Sequence, residues 1–371
     1  MPSVLFHVTD RTSWRFALST GDYQDGGSGP SGELVAPGAG GLARMSTAGG
    51  SGPAGAVAGA GAGAGADPAM LVLHLRASRR KARAAATAEA LGLLADLEPV
   101  APSGGPLSEL SGTAWVTVPR RHLKPALARL GRLGYTAAVD LVEPHDGAGE
   151  GGPEQRAVRW RRRWWRVVRV HQADEAMLRE RAPDRRRFLL EGGDGQVREI
   201  RGYRGTGAEG ARRALPVADA RMLVNLAGPP SGVLLDPFAG AGGIALEARE
   251  AGWAVVTADV DPALRFGLAA LAALHLVADV RRPSLRAGSL AAVVTEPPYD
   301  PGAGELLVDV LPELARLLRP GGCLALLVTS GQATLARRAA ASVRLVPGLD
   351  APVDRKGLDV VALTWTWRPG S

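Results

Sequence analysis

The feature that most constrains the fold is a glycine-rich loop between a short apolar strand and a helix. A strand is predicted over residues 232–235, the loop reads Asp-Pro-Phe-Ala-Gly-Ala-Gly-Gly over residues 236–243, and a helix is predicted over residues 244–251. Glycines let the backbone approach a ligand closely at the carboxyl end of a parallel sheet. The three segments therefore predict the first unit of a doubly wound α/β fold. Alone, the loop is also compatible with a dinucleotide-binding dehydrogenase.

Two acids narrow the class of ligand. A second strand over residues 254–258 ends at Asp259, 23 residues after Asp236. A carboxylate at that place can accept hydrogen bonds from both ribose hydroxyls of an adenosine. A third strand, over residues 274–277, is followed by Asp279, which can accept from an adenine amine. Because nucleotide-binding proteins share such acids, they indicate an adenosine-containing cofactor without naming it.

The sequence Val-Val-Thr-Glu-Pro-Pro-Tyr at residues 293–299 distinguishes between these cofactors. To methylate an exocyclic amine, an enzyme must free the nitrogen lone pair from ring conjugation. The Glu296 side chain and the Pro297 carbonyl can bind the two amine hydrogens, and Tyr299 can stack on the base. The catalytic candidates are therefore Glu296, Pro297, Pro298 and Tyr299. A dehydrogenase has no use for this loop, although a plain proline turn would read similarly. The loop therefore favours S-adenosylmethionine as the cofactor.

The remaining C-terminal segments complete a seven-stranded sheet. A helix is predicted over residues 305–318, a turn over 319–322 and a fifth strand over 323–328. Residues 342–346 and 359–367 are expected to form a closing antiparallel pair. We therefore predict an α/β, doubly wound, seven-stranded class I methyltransferase (Rossmann-like) domain over residues 212–371, preceded by a smaller basic α+β domain.

The N-terminal half has a different character. Residues 1–25 contain strand-like segments, and residues 26–66 are so rich in Gly, Ala and Ser that we expect a disordered linker. Residues 67–150 alternate between strands and helices, which predicts a small α+β domain. The first 215 residues carry a net charge of +8, whereas the remainder carries −1. A polyanionic partner for this half is one interpretation, and solvated arginines are the other.

The connector over residues 151–211 contains the most unusual stretch. Residues 156–170 hold seven arginines and three tryptophans but no acid. Arginine can neutralise phosphate and aromatic rings can stack on bases, so we expect Arg161, Arg162 and Arg163 to contact RNA. The tryptophans are expected to pack inward.

Several classes of protein are excluded by composition. Cys323 is the only cysteine, so a disulfide framework and a thiolate metal site are excluded, and we expect no metal. No uncharged apolar run reaches the length of a membrane span, and the N-terminus lacks a hydrophobic signal core. A soluble, cytoplasmic protein is expected.

Four segments in this order and spacing resemble the tRNA guanine-N2 methyltransferase family, among THUMP-associated class I RNA methyltransferases. They are residues 215–227, the loop 236–243, Ala-Asp-Val-Asp-Pro at 258–262 and Glu-Pro-Pro-Tyr at 296–299. The resemblance implies that Arg221 and Asn225 flank the methionine end of the cofactor. The other residues that it assigns to the cofactor are Asp236, Phe238, Gly240, Gly242, Asp259 and Asp279. It also implies that Glu296 to Tyr299 grip the base, although the family has Asp where this chain has Glu296.

The leading hypothesis is S-adenosylmethionine-dependent methylation of an exocyclic base amine in RNA, with guanine N2 in tRNA as the expected target. The alternatives are methylation of adenine N6 in DNA or ribosomal RNA, methylation of a protein glutamine amide, and a catalytically weakened RNA-binding protein.

Overall fold

The computed structural model describes residues 3–8, 13–19, 33–35, 68–103, 105, 110–146, 155–173, 187–201, 215–300, 302–355 and 358–368. Apart from residues 33–35, the linker predicted over residues 26–66 lies outside these ranges. Strands β1 (Ser3–Val8), β2 (Ser13–Ser19) and β3 (Glu33–Val35) form a small antiparallel sheet. Across the described ranges, no helix combines the length and the apolar character that crossing a membrane requires.

A five-stranded antiparallel sheet follows. Its strands are β4 (Pro68–Leu75), β5 (Thr113–Pro119), β6 (Thr136–His145), β7 (Gln155–Trp160) and β8 (Arg163–Gln172). They lie in the order β5-β4-β6-β8-β7, and helices α1 (Arg83–Leu93) and α2 (Leu123–Arg129) complete what we call the five-stranded unit. Strands β7 and β8 come from the predicted connector. The arginine- and tryptophan-rich stretch is therefore a hairpin of this sheet.

The side chains of β4 alternate between two hydrophobic clusters, one on each face of this sheet. Leu71 and Leu73 belong to the large hydrophobic core, whereas Val72 belongs to a separate cluster with Trp115 and Val167. Successive side chains of a strand point to opposite faces, so the sheet is apolar on both. The face that carries Leu71 is shared with α1 and with the C-terminal half of the chain.

A short hairpin connects the two halves. Strands β9 (Arg187–Glu191) and β10 (Val197–Arg201) pair antiparallel. Leu190 packs against Leu264 and Leu268, and Arg265 donates a 2.9 Å hydrogen bond to Glu191. The hairpin therefore lies against the C-terminal half, beside the segment that follows Asp259.

The C-terminal half is a seven-stranded sheet with helices. The strands are β11 (Val233–Asp236), β12 (Ala254–Asp259), β13 (Leu274–Val277), β14 (Leu290–Thr295), β15 (Leu318–Thr329), β16 (Leu345–Arg355) and β17 (Leu358–Trp367). The helices are α3 (Val217–Leu226), α4 (Gly243–Ala251), α5 (Arg265–Leu271), α6 (Ala303–Leu317) and α7 (Ser330–Ser342). The order is β13-β12-β11-β14-β15-β17-β16, with β17 antiparallel to both neighbours. The predicted doubly wound, seven-stranded class I methyltransferase fold is confirmed, and we call this part the seven-stranded unit.

Two local predictions were wrong, and one helix was missed. The turn expected over residues 319–322 is a bulge within β15, where the pairing with β14 shifts register. The strand expected over residues 342–346 is instead the end of α7 and the start of β16. Helix α7 was not predicted, although Thr329 and Gln332 form a reciprocal capping box at its start.

The two units share one hydrophobic core. That core contains residues of α1 and β4 together with residues of α3, α4 and β15. Helices α1 and α3 approach closely at Gly92, where an added Cβ would lie 2.2 Å from the Asn225 carbonyl oxygen. The two sheets are therefore parts of one packed body.

Candidate active site

The glycine loop joins β11 to α4 in a conformation that requires glycine. Gly240 and Gly242 have φ of +50° and +74°, in the left-handed region. An added Cβ on Gly242 would also lie 2.4 Å from Cδ1 of Leu271. The Gly242 amide donates a 2.8 Å hydrogen bond to the Ala239 carbonyl, which closes the loop.

Asp236 ties this loop to the neighbouring strand. Its buried carboxylate accepts a 2.7 Å hydrogen bond from the Thr295 hydroxyl at the end of β14 and one of 3.4 Å from the Phe238 amide. Burial raises the pKa of Asp236 to about 7. Phe238 is half-buried and packs against the hydrophobic cluster that contains Val233 and Leu235. The ends of β11 and β14 are thus held together where the two motifs meet.

Asp259 lies beside the same loop. One carboxylate oxygen accepts a 2.9 Å hydrogen bond from the Gly240 amide, and the other accepts one of 3.0 Å from the Asp261 amide. Each oxygen keeps a lone pair for a further donor. A half-buried carboxylate that touches a glycine loop fits an adenosine ribose. The residues present are therefore compatible with an adenosine-containing cofactor.

Asp279 is less available to such a ligand than Asp259. It is exposed beyond β13 and forms an ion pair with Arg281, with a shortest distance of 2.6 Å. The guanidinium of Arg281 holds the pKa of Asp279 below its usual range. Asp279 lines an open pocket with Arg281, Arg282 and Asp309. An adenine amine would share this carboxylate with Arg281, a pairing that the sequence prediction missed.

Glu296 and Tyr299 occupy the loop that leaves β14. Glu296 Oε1 accepts a 2.5 Å hydrogen bond from the Tyr299 hydroxyl and another from Nη1 of Arg355, at the end of β16. Burial raises the pKa of Glu296, and the charge of Arg355 opposes that shift. Burial also raises the pKa of Tyr299 well above its usual range. No sequence motif marks Arg355, because its strand is remote from the loop in the chain.

The back of this loop is fixed by helix α7. Gln332 Nε2 donates a 2.7 Å hydrogen bond to the Pro298 carbonyl, while the Gln332 Oε1 atom caps the helix. Pro297 is buried, and within the part of the chain that the structure describes its carbonyl accepts no hydrogen bond. The acceptor role of the Pro297 carbonyl stays a prediction. The capping box was the sequence signal that could have identified Gln332.

Arg221 and Asn225, which the family resemblance assigns to the methionine end of the cofactor, form hydrogen bonds to buried acids of the protein itself. Arg221 donates a 2.8 Å hydrogen bond to the buried Glu247, and Asn225 donates one of 2.9 Å to the buried Glu89 of α1. Asn225 also donates to the Arg132 carbonyl. Arg221 also donates a 3.3 Å hydrogen bond to the Gly131 carbonyl of the five-stranded unit. Both side chains therefore lie in the interface between the two units, where α3 packs between α1 and α4.

Arg161, Arg162 and Arg163 form the tip of the β7–β8 hairpin. Arg161 and Arg162 have φ of +45° and +64°, an uncommon conformation for non-glycine residues. Their side chains and that of Arg163 are exposed, and Arg161 stacks on the Trp160 ring with its guanidinium carbon 4.5 Å from the centroid. Trp160 in turn meets Trp165 edge to face, so these two tryptophans pack on each other.

The register places this tip far from the Glu296 loop. Strand β8 pairs with β6, and Trp164 lies opposite His145 at the far end of β6. Tyr135, which precedes β6 at its other end, hydrogen-bonds Asp219 of the seven-stranded unit. The length of β6 therefore separates the arginines from the interface by about 30 Å. Among the described residues, no group of three His, Cys, Asp or Glu side chains could hold a metal ion.

No protein-family model and no curated protein matches the chain. Among solved structures, it is similar to TrmN from Thermus thermophilus, with 17% identity, a TM-score of 0.43, and coverage of 81% of this chain and 99% of that one. It is also similar to the T. thermophilus 16S rRNA N2 methyltransferase RsmC in complex with AdoMet and guanosine. That pair has 25% identity, a TM-score of 0.36, and coverage of 52% and 47%. A geranyl diphosphate methyltransferase in complex with SAM gives 18% identity, a TM-score of 0.34, and coverage of 41% and 86%. The fold assignment rests on the strand order of the chain itself.

Proposed function

We propose that this chain is an S-adenosylmethionine-dependent methyltransferase that acts on an exocyclic base amine of RNA, with guanine N2 in tRNA as the expected target. One observation carries the proposal. The Glu-Pro-Pro-Tyr loop and the glycine loop leave neighbouring parallel strands, and the 2.7 Å bond between Thr295 and Asp236 holds their starts together. A cofactor at one loop and a planar amine at the other would therefore be adjacent.

The side chains of the Glu296 loop suit an amine acceptor. When bound, S-adenosylmethionine supplies an electrophilic methyl group. Glu296 Oε2 and the Pro297 carbonyl would accept the two amine hydrogens and draw the nitrogen towards tetrahedral geometry. The ring of Tyr299 would stack on the base and orient it. Because the amine proton can depart after methyl transfer, Glu296 would act first as an acceptor and then as a proton sink.

The arginines of the β7–β8 hairpin support a polyanionic substrate. Arg166 and Arg169 are paired with Glu143 and Asp140, whereas no acid among the described residues pairs with Arg161, Arg162 or Arg163. Unpaired exposed arginines are available for phosphate contacts. A tip about 30 Å from the interface would reach a folded RNA, whereas a free nucleoside could not span that distance.

The test combines methyl transfer with identification of the product. The purified full chain is incubated with labelled S-adenosylmethionine and total RNA or genomic DNA, and the nucleosides are analysed by mass spectrometry. N2-methylguanosine in tRNA is the expected product. N6-methyladenine would change the target. Cofactor binding in calorimetry without methyl transfer to any RNA would overturn the enzymatic function.

A matched variant tests the role of the loop. Glu296→Gln keeps the side-chain volume but removes the carboxylate charge, so we expect methyl transfer to fall about 100-fold. Glu305→Gln, at the start of α6, makes the same chemical change outside the loop and is expected to leave the rate unchanged. Equal rates for both variants would contradict the assignment of Glu296.

A further inference from the structure

Four charged side chains form a continuous chain between the two units. Arg79 precedes α1 in the five-stranded unit, Asp219 lies in α3, Arg355 ends β16, and Glu296 lies in the loop after β14. Asp219 is fully buried, and the side chains of Arg355 and Glu296 are only 15% and 18% exposed. The charges alternate in sign along the chain. The Glu296 loop is therefore linked electrostatically to the five-stranded unit.

Contacts to Glu296 are confined to one of its two oxygens. Glu296 Oε1 accepts from Arg355 Nη1 and from the Tyr299 hydroxyl, and Arg355 Nη1 also donates to that hydroxyl at 3.2 Å. Among the described residues, no donor contacts Oε2. The carboxylate is thus held through one oxygen, and the other can accept a substrate hydrogen.

Arg355 is itself held by the interface. Its Nε atom lies 3.5 Å from Asp219 Oδ2. Asp219 accepts hydrogen bonds of 2.8 to 3.1 Å from the Arg79 guanidinium and one of 2.9 Å from the Tyr135 hydroxyl. Arg79 and Tyr135 both belong to the five-stranded unit. The orientation of Arg355 therefore depends on residues outside the Glu296 loop.

The surroundings of Glu296 would otherwise favour its neutral form. Burial raises its pKa, and the nearby charge of Asp219 acts in the same direction. Asp236 lies close enough that the two carboxylates repel each other. Tyr299 contributes a hydrogen bond but no positive charge. Among the described residues, Arg355 is the cation that pairs with Glu296.

We infer that Arg355 is a positioning residue for methyl transfer. Anchored by Asp219, and through it by Arg79 and Tyr135, Arg355 holds Oε1 of Glu296 so that Oε2 is presented to the acceptor amine as an ionised oxygen. This inference rests on the proposed function. It makes the five-stranded unit part of the active-site architecture as well as a surface for RNA.

Two variants separate the charge of Arg355 from its geometry. Arg355→Met removes the charge, so the acidic limb of the pH–rate profile should move to higher pH by about one unit or more. Arg355→Lys keeps a charge but cannot reach Glu296 and Asp219 together, so kcat should fall about tenfold with KM for RNA unchanged. Arg337→Met is the control. Arg337, in α7, forms a 2.6 Å ion pair with Asp350, which lies in β16 like Arg355, and Arg337 does not touch Glu296. A loss of rate that is equal at every pH in Arg355→Met would overturn the inference.

A second measurement does not need turnover. The carboxyl carbons of glutamate are labelled with ¹³C in the full chain, and the Glu296 signal is assigned by its absence in Glu296→Gln. Its titration midpoint should rise by about one pH unit or more in Arg355→Met and remain in place in Arg337→Met. An unchanged midpoint overturns the inference even if RNA is methylated. If the Glu296 midpoint rises in Arg355→Met but the unmodified chain methylates no RNA, the pairing of Arg355 with Glu296 stands and the proposed function is overturned instead. If Arg355→Met does not fold, Arg355→Lys provides the test: a kcat equal to that of the unmodified chain would overturn the inference.

Discussion

At the scale of single residues, Gly242 shows how backbone conformation and space act together. Its φ of +74° disfavours any side chain, and a Cβ there would lie 2.4 Å from Cδ1 of Leu271. We predict that Gly242→Ala lowers the free energy of unfolding by about 2 kcal/mol or more, from strain plus overpacking. Affinity for S-adenosylmethionine should fall at least tenfold in calorimetry, because the loop must move.

Gly288 provides the control for this prediction. It has φ of +66°, but an added Cβ would meet nothing within 4 Å. Gly288→Ala should therefore lower the free energy of unfolding by only the conformational cost, about 1 kcal/mol, and leave the affinity for the cofactor unchanged. Adding Leu271→Ala to Gly242→Ala should restore part of the affinity. Equal losses in the two glycine variants would show that the contact with Leu271 is unimportant.

Glu89 leads to a prediction about pH. This buried residue accepts hydrogen bonds from the amides of Gly134 and Tyr135 and from Asn225, yet burial raises its pKa to about 7. Between about pH 4.5 and 7 the folded state therefore binds more protons than the unfolded state. The contribution of Glu89 to stability is present below pH 4.5 and is lost as the pH rises through 7, by up to about 3 kcal/mol.

Denaturant unfolding at a series of pH values measures this contribution. Asp236, whose pKa is also raised to about 7 by burial, contributes in the same direction. Glu89→Gln should remove only its own share, so that the unfolding free energy falls less steeply with pH than in the unmodified chain. A pH dependence identical to that of the unmodified chain would show that Glu89 does not titrate in this range.

At the scale of elements, the turn of the β7–β8 hairpin has a sequence that favours RNA binding over the stability of the fold. Positive φ at both Arg161 and Arg162 corresponds to a two-residue turn of type I′, which favours Asn-Gly. The double variant Arg161→Asn, Arg162→Gly should therefore raise the free energy of unfolding by about 1 kcal/mol. RNA affinity should fall at the same time, and the salt dependence of log K should become shallower by about 1.5.

A rise in the free energy of unfolding together with a fall in RNA affinity is the diagnostic result. The control is Arg316→Asn with Arg337→Asn, which changes the net charge equally but removes arginines that pair with Glu313 and Asp350. This pair should leave RNA affinity nearly unchanged. If both double variants weaken RNA binding equally, the effect comes from net charge and the hairpin has no specific role.

The elements also show what could be predicted from the sequence. The parallel strands with continuous apolar runs, such as β14, were predicted because burial on both faces leaves a simple pattern. Helix α7 was missed because its small, partly polar residues have a weak apolar stripe, although its capping box is explicit. The bulge in β15 was taken for a turn because Pro-Gly-Gly is typical of both.

Long-range contacts account for most of what was missed at the site. The positions of Asp236, Asp259 and Glu296 follow from strand ends, which a local pattern reveals. The pairing of Glu296 with Arg355 joins residues 59 positions apart, and that of Asp219 with Arg79 joins residues 140 apart. No spacing rule connects such residues, because Glu296 meets Arg355 only when the seven-stranded sheet forms and Asp219 meets Arg79 only when the two units pack.

At the scale of the whole molecule, the interface between the units depends on backbone contact. An added Cβ on Gly134 would lie 2.2 Å from the Ala218 carbonyl oxygen and 3.0 Å from Cβ of Arg221. Gly134 immediately precedes Tyr135, whose hydroxyl holds Asp219 at 2.9 Å. A displacement of α3 at this point would therefore reach Arg355 through Asp219.

Gly134→Ala tests whether the two sheets act as one body. Overpacking should lower the free energy of unfolding by about 1–3 kcal/mol, measured by denaturant titration. The rate of methyl transfer should also fall, while RNA affinity is maintained, because the arginine hairpin lies at the other end of the sheet. Gly131→Ala is the matched control, since its added Cβ would meet only His171 at an ordinary 3.8 Å. If Gly134→Ala is destabilised but transfers methyl groups at the unmodified rate, the five-stranded unit supports the fold without influencing the Glu296 loop. A loss of rate confined to Gly134→Ala requires that the interface reach the active site, because neither glycine lies in either loop.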